Sequence, residues 1–181
     1  RVPATKGGFM KRILINLALM ILAFTVQTCI FPLIPFFSAS PNLLLIMTFS
    51  LGFIYGKDSG MLYGFFAGIL LDLFGGGSFG FYSLLFIYIG YLNGIFAQYY
   101  YEDYITLPMV LAIGNELAYN LYIYIFQFLI RKRLDFLYYL ENIIIPEIIF
   151  TVVTTLLIYR LFLFISRKLE EMEQRRDTNL V

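Results

Sequence analysis

The sequence predicts an all-α integral membrane protein, with six transmembrane helices in a single domain. Three observations predict it. Of 181 residues, 60% are hydrophobic and 14% charged, against about 25% charged in soluble domains. Apolar runs recur from end to end, and about 20 such residues cross a bilayer. Glycine also recurs at every fourth position through Gly52, Gly56, Gly60, Gly64, Gly68, Gly76 and Gly80, with Asp72 as the one exception. Glycines at that interval leave a helix face bare of side chains, so another backbone can approach closely.

The elements follow in order. Met10-Lys11-Arg12 has the character of a start with a basic flank. Residues 1–9 are therefore expected to be an expression remnant or a disordered N-terminus, and the membrane domain to occupy 10–166. The first span, 13–31, ends at Pro32 and Pro35; no small-residue cleavage site follows it, which argues against a signal peptide. After an uncharged loop, 36–41, the second span is 42–55 and the third 60–74. Both are short, and Lys57-Asp58-Ser59 alone separates them as a tight helical hairpin. Gly75-Gly76-Gly77-Ser78 breaks the chain, and the fourth span is 79–98. Tyr99 to Tyr104 suits the headgroup level, where tyrosines place an apolar body and a polar tip. The fifth span is 105–130, closed by Arg131-Lys132-Arg133, and the segment from Asp135 to Glu141 reads as interfacial. The sixth span is 143–165, followed by a short polar tail, 167–181, with the makings of a helix.

An even number of spans puts both termini on one side. Lys11, Arg12, Lys57, Arg167, Lys168, Arg175 and Arg176 assign that side to the cytoplasm. The Arg131 triplet then falls outside, against the same rule.

Composition also excludes functions. The chain has no histidine and one cysteine, Cys29. The commonest general base and metal ligand are missing, as is any internal disulfide. No nucleophile elbow, metal-spaced cluster or phosphate loop is present, so no catalytic residue, metal site or cofactor is expected. A net charge of +1 offers nothing to nucleic acid. The expected environment is membrane lipid.

Three carboxylates lie within the spans. Asp72 reads either as an acceptor for backbone N–H groups of the following glycine turn or as a functional group at depth. Glu116, with Asn120 one turn on and on the same face, points into the bundle and is expected to be paired or neutralised. Glu147 follows Pro146 in a first helical turn, where the helix dipole favours a negative charge. Gly60, Gly64 and Gly68 form a groove that drifts by about 40° per step. It can serve internal packing or receive a transmembrane helix of another protein.

Pro41-Asn42-Leu43-Leu44-Leu45, the glycine hairpin from Gly56 through Gly68, Leu71-Asp72-Leu73, the turn at Gly75, Gly76 and Gly77, and then Gly80 resemble the bacterial rod shape-determining MreD family. The resemblance covers 41–80 closely and the remainder by hydropathy. The turn departs from the serine that many relatives carry, and Glu116 matches no family feature. The resemblance implies a non-enzymatic subunit of the elongation machinery in the bacterial inner membrane, helping to regulate peptidoglycan synthesis and cell shape. It implies MreC as partner and, indirectly, the elongation transpeptidase and a RodA-type glycosyltransferase. It also implies a six-helix fold similar to the substrate-binding subunits of vitamin transporters. Two other readings stay open: a vitamin-like carrier subunit with Asn115, Glu116 and Asn120 lining a cavity, and a proton-coupled transporter using Asp72 and Glu116.

Overall fold

The computed structural model describes residues 6–33, 41–75, 79–99, 106–129 and 140–178. Gly76 and Gly77 of the expected turn, most of the tyrosine cluster, the Arg131 triplet and the interfacial segment up to residue 139 lie outside them.

The described residues form six α-helices. α1 (Lys6–Thr25) begins inside the stretch expected to be a remnant or disordered. It widens over Val26–Ile30 and tightens over Phe31–Leu33. Thr25 and Thr28 donate their hydroxyls to the carbonyls of Ile21 and Phe24, at 2.9 and 2.7 Å. Such back-bonding competes with the regular ladder and accompanies the change of pitch.

α2 (Leu43–Tyr55) is the centre of the molecule, with every residue from Leu43 to Ile54 buried. A helix that is apolar all round belongs inside. Its 13 residues rise only about 20 Å. The other helices enclose it, so its ends need not reach the headgroups, which accounts for its short length. Its start is capped three times. Asn42 accepts from the Leu45 N–H through its side chain at 3.2 Å, Gln27 of α1 accepts from Leu44 at 3.1 Å, and a threonine of the last helix accepts from Asn42.

α3 (Lys57–Phe74) follows after a single residue, Gly56. Lys57-Asp58-Ser59, expected as the connection, is instead the first turn of α3. Gly56 makes the reversal alone, at φ 93°, a conformation that side chains disfavour. α4 (Phe81–Ile95) starts two residues later than expected, after Gly80 at φ 92°, and ends in a tight turn, Phe96–Tyr99. α5 (Thr106–Ile123) passes into a wide turn, Tyr124–Leu129. A second wide turn, Leu140–Ile144, leads into α6 (Ile145–Thr178). Pro146 in its first turn suits a position whose N–H has no helical partner. α6 runs without a break through Ser166-Arg167-Lys168, so the expected tail is helix as far as Thr178. At 34 residues α6 is about 50 Å long, more than a bilayer needs, and its charged end extends the last span.

Among the described residues, three helices are long and apolar enough to cross a membrane: Met10–Leu33, Phe81–Gln98 and Leu107–Phe126. Leu43–Tyr55 and Ile145–Ile158 are shorter apolar helices. Large apolar side chains such as Leu14, Leu22, Leu84, Val110, Leu121 and Leu157 are exposed on the outer helices, as a lipid-facing surface requires. The chain is an all-α, multi-span membrane protein.

Candidate functional site

The glycine face is filled within the chain. α3 lies against α4 so closely that a Cβ on Gly60 would overlap the Gly90 carbonyl and lie 2.9 Å from the Gly52 Cα. A Cβ on Gly52 would lie 2.7 Å from the Gly90 oxygen. A Cβ on Gly64 would overlap the Phe86 carbonyl, and one on Gly68 would overlap Ser83 backbone. On α4, Gly90 and Gly94 complete the seam against Gly60 and Lys57. Of the two uses read for Gly60, Gly64 and Gly68, this seam is the internal one, with α4 seated on the glycines. The sequence carried the signal, since Gly90 and Gly94 repeat the four-residue interval on the fourth span.

Asp72 closes the same hairpin at its far end. The carboxylate accepts from the backbone N–H of Gly80 at 3.0 Å, Tyr82 at 2.8 Å and Ser83 at 3.1 Å, and from the Ser83 hydroxyl. A helix start leaves its first N–H groups unpaired and carries partial positive charge. Asp72 meets both needs for α4 from the last turn of α3. Among the described residues, the backbone donors to this carboxylate are Gly80, Tyr82 and Ser83; residues 76–78 of the expected turn lie outside them. Gly75, at the end of α3, donates its N–H to the Leu71 carbonyl at 2.7 Å.

Two buried amide contacts tie other helices together. Asn93 of α4 and Asn115 of α5 exchange Nδ2-to-Oδ1 bonds at 2.7 and 2.9 Å. Asn16 of α1 donates to the Tyr63 hydroxyl at 3.0 Å. Neither Asn16 nor Asn93 stood out in the sequence, although an asparagine inside an apolar span is a usable signal. Replacing Asn93 by Leu leaves Asn115 without its partner and is expected to cost about 1–2 kcal/mol. Adding Asn115→Leu should recover part of that loss, read from thermal midpoints in one detergent.

The densest polar cluster lies between α5 and α6. Glu116 is fully buried. Asn120 donates to its Oε1 at 3.3 Å and to its main-chain carbonyl at 3.2 Å. Glu147 and Thr151 of α6 stand beside it within hydrogen-bonding reach. Thr151 accepts from the Asn42 N–H at 3.4 Å, which ties the cluster to the start of α2. Thr155 donates back to the Thr151 carbonyl at 2.6 Å. The expectation that Glu116 faces inward and shares a face with Asn120 agrees with this arrangement. Glu147 is more than a residue favoured by a helix dipole, because it meets Glu116. Asn115 turns to Asn93 of α4 and not to this cluster.

Among the described residues, no group of three or more His, Cys, Asp or Glu side chains could hold a metal ion. The arrangement fastens helices to one another.

The chain matches the family model described as rod shape-determining protein MreD over residues 8–169. No curated protein and no solved structure matches it. The matched stretch runs from the first turns of α1 to beyond the apolar part of α6, and the chain belongs to the MreD family. Proteins of this family are non-catalytic.

Proposed function

We propose that this MreD-family chain is a scaffold subunit of the complex that builds the lateral cell wall. In this reading it binds MreC through that protein's single transmembrane helix. Through MreC it acts on the elongation transpeptidase and a RodA-type glycosyltransferase. The carrying observation is the family match over 8–169. The interior supports the same reading, because several of its buried polar groups, Asn16, Asp72 and Asn93 among them, join one helix to another, as a rigid scaffold needs.

The topology proposed with it is six crossings of the bacterial inner membrane, with both termini in the cytoplasm. Arg12, over the Tyr55 ring at 4.5 Å, and Lys57, beside Gly94, would mark the cytoplasmic end. The likeness to six-helix vitamin-binding subunits is a fold analogy and brings no transport with it. Because α4 backbone lies against the glycine seam, this reading places MreC on the exposed sides of the outer helices.

The test is affinity purification of the full chain from its native membrane, followed by identification of the proteins that accompany it. MreC is expected, with the transpeptidase and glycosyltransferase in smaller amounts. Recovery of transporter ATPase subunits without MreC would overturn the proposal in favour of a carrier.

A further inference from the structure

Glu116 and Glu147 meet in a way that two carboxylates cannot satisfy. Oε1 of Glu116 accepts from Asn120, while Oε2 is buried without a donor. Glu147 is within hydrogen-bonding reach of both Glu116 and Asn120. Ionised carboxylates only accept. Two of them in apposition supply repulsion and no bond, in a setting where an unpaired buried charge is costly.

The described surroundings supply no cation. Among the described residues, Glu147 is the charged group acting on Glu116. α1 has no charged residue from Ile13 to Leu33, α2 has none, and α5 has none besides Glu116. On the α6 side, Glu141 precedes the pair and is exposed; Arg160 lies more than three turns beyond and is also exposed. The neighbouring titratable ring is Tyr124, packed with Ile144 and Ile148. One proton resolves both problems. It removes one of the two charges and makes the otherwise partnerless Glu116 Oε2 a donor.

We propose that Glu116 and Glu147 bind a single proton between them and so form a clasp that joins α5 to α6. The proton is taken from water as an O–H bond on Glu116 and returns to water on release. Glu116 holds it because it is wholly buried on α5. Glu147 keeps the negative charge because it is only partly buried and stands in the first turn of α6, where the dipole favours an anion. Release leaves two facing negative charges and loosens α5 from α6 between the wide turns Tyr124–Leu129 and Leu140–Ile144. The clasp is independent of which partner the scaffold binds.

Infrared spectroscopy of the full-length protein in lipid nanodiscs tests it. At pH 7 the wild type should show a protonated-carboxyl band that shifts in heavy water. The band should be absent from Glu116→Gln and retained in Glu147→Gln. Should Glu116→Gln fail to fold, carbon-13 labelling of the glutamate carboxyls in the wild type decides, since the band must then move. A wild type without the band, or a band unmoved by the label, overturns the proposal. So does stabilisation by sodium over choline in a protein that lacks the band, which would make the ligand a metal cation.

Discussion

Leucine in place of Gly64 is expected to prevent α3 from seating on α4 and to remove most folded protein from a detergent extract. The added Cβ alone would run into the Phe86 carbonyl oxygen and carbon. These are main-chain atoms inside a helix, so no rotamer change relieves the overlap. One helix must move away from the other, which also opens the neighbouring contacts at Gly60 and Gly68. Overpacking of a core costs about 1–3 kcal/mol where side chains can adjust, and Gly64→Ala is expected in that range despite alanine's better helix propensity. Gly64→Leu should exceed it. The control is Gly114→Leu, where an added Cβ meets nothing within 4 Å; an exposed change of that kind stays within about 0.5 kcal/mol. The measurement is the thermal midpoint with the monodisperse fraction on size exclusion. Equal behaviour of the two leucine variants would refute the internal seam. An intact Gly64→Leu protein that had lost only the proposed partner would return this face to that partner.

Much of the helical layout was legible because it depends on local chemistry. Asn42 after Pro41 is a helix start, and the apolar run after it is a helix with no polar face. The reversal at Gly56 was misplaced by three residues because Lys57-Asp58-Ser59 has loop composition. In the fold these residues are a first turn, where Asp58 suits the dipole. The partner of the glycine face was present in the sequence as Gly90 and Gly94, but spacing alone does not say which two faces meet. The meeting of Glu116 with Glu147 was out of reach for a related reason. Glu116 was expected to be paired or neutralised with no partner beyond its own helix in view, Glu147 had a sufficient local explanation in the helix dipole, and the register of α5 against α6 is a tertiary fact that one sequence does not state. Asn93 with Asn115 is the same case. Each is an amide in an apolar helix that needs a partner, and only packing says which.

The register also places the fastenings. The end of α1, the start of α2, the end of α3, the start of α4, the end of α5 and the start of α6 share one end of the bundle. Gln27 to Leu44, Asn42 to Thr151, Asp72 to α4, and the Phe81 ring 4.7 Å from that of Tyr122 connect them. The wide turns of α1, α5 and α6 occur at this end too. Regular hydrogen bonding is weakest where side-chain fastening is densest. This end is therefore held by specific polar groups, whereas the glycine seam between α3 and α4 is held by close backbone packing. The two devices fail differently. The seam fails by steric overlap, and the polar end fails when a donor or acceptor loses its partner.

Asp72→Ala tests the second kind of failure and should be nearly as damaging as the seam variant. The carboxylate serves three backbone donors and one hydroxyl while almost fully buried. Alanine leaves the first N–H groups of α4 without acceptors, at about 1–3 kcal/mol for each well-buried donor. The Gly80 N–H sits at the turn and regains part of its loss from water, so the expected cost is about 3–5 kcal/mol in total. Asp72→Asn keeps one oxygen in place of two. It turns an amide donor toward N–H groups that also donate, so it should recover less than half of the loss. Hydrogen exchange locates the effect. The amides of Gly80, Tyr82 and Ser83 should exchange faster in both variants, while those of α2, buried on every side, should not change until the protein unfolds. An unaltered midpoint in Asp72→Ala would mean that the cap is dispensable, and the carboxylate would then need a function other than holding α3 to α4.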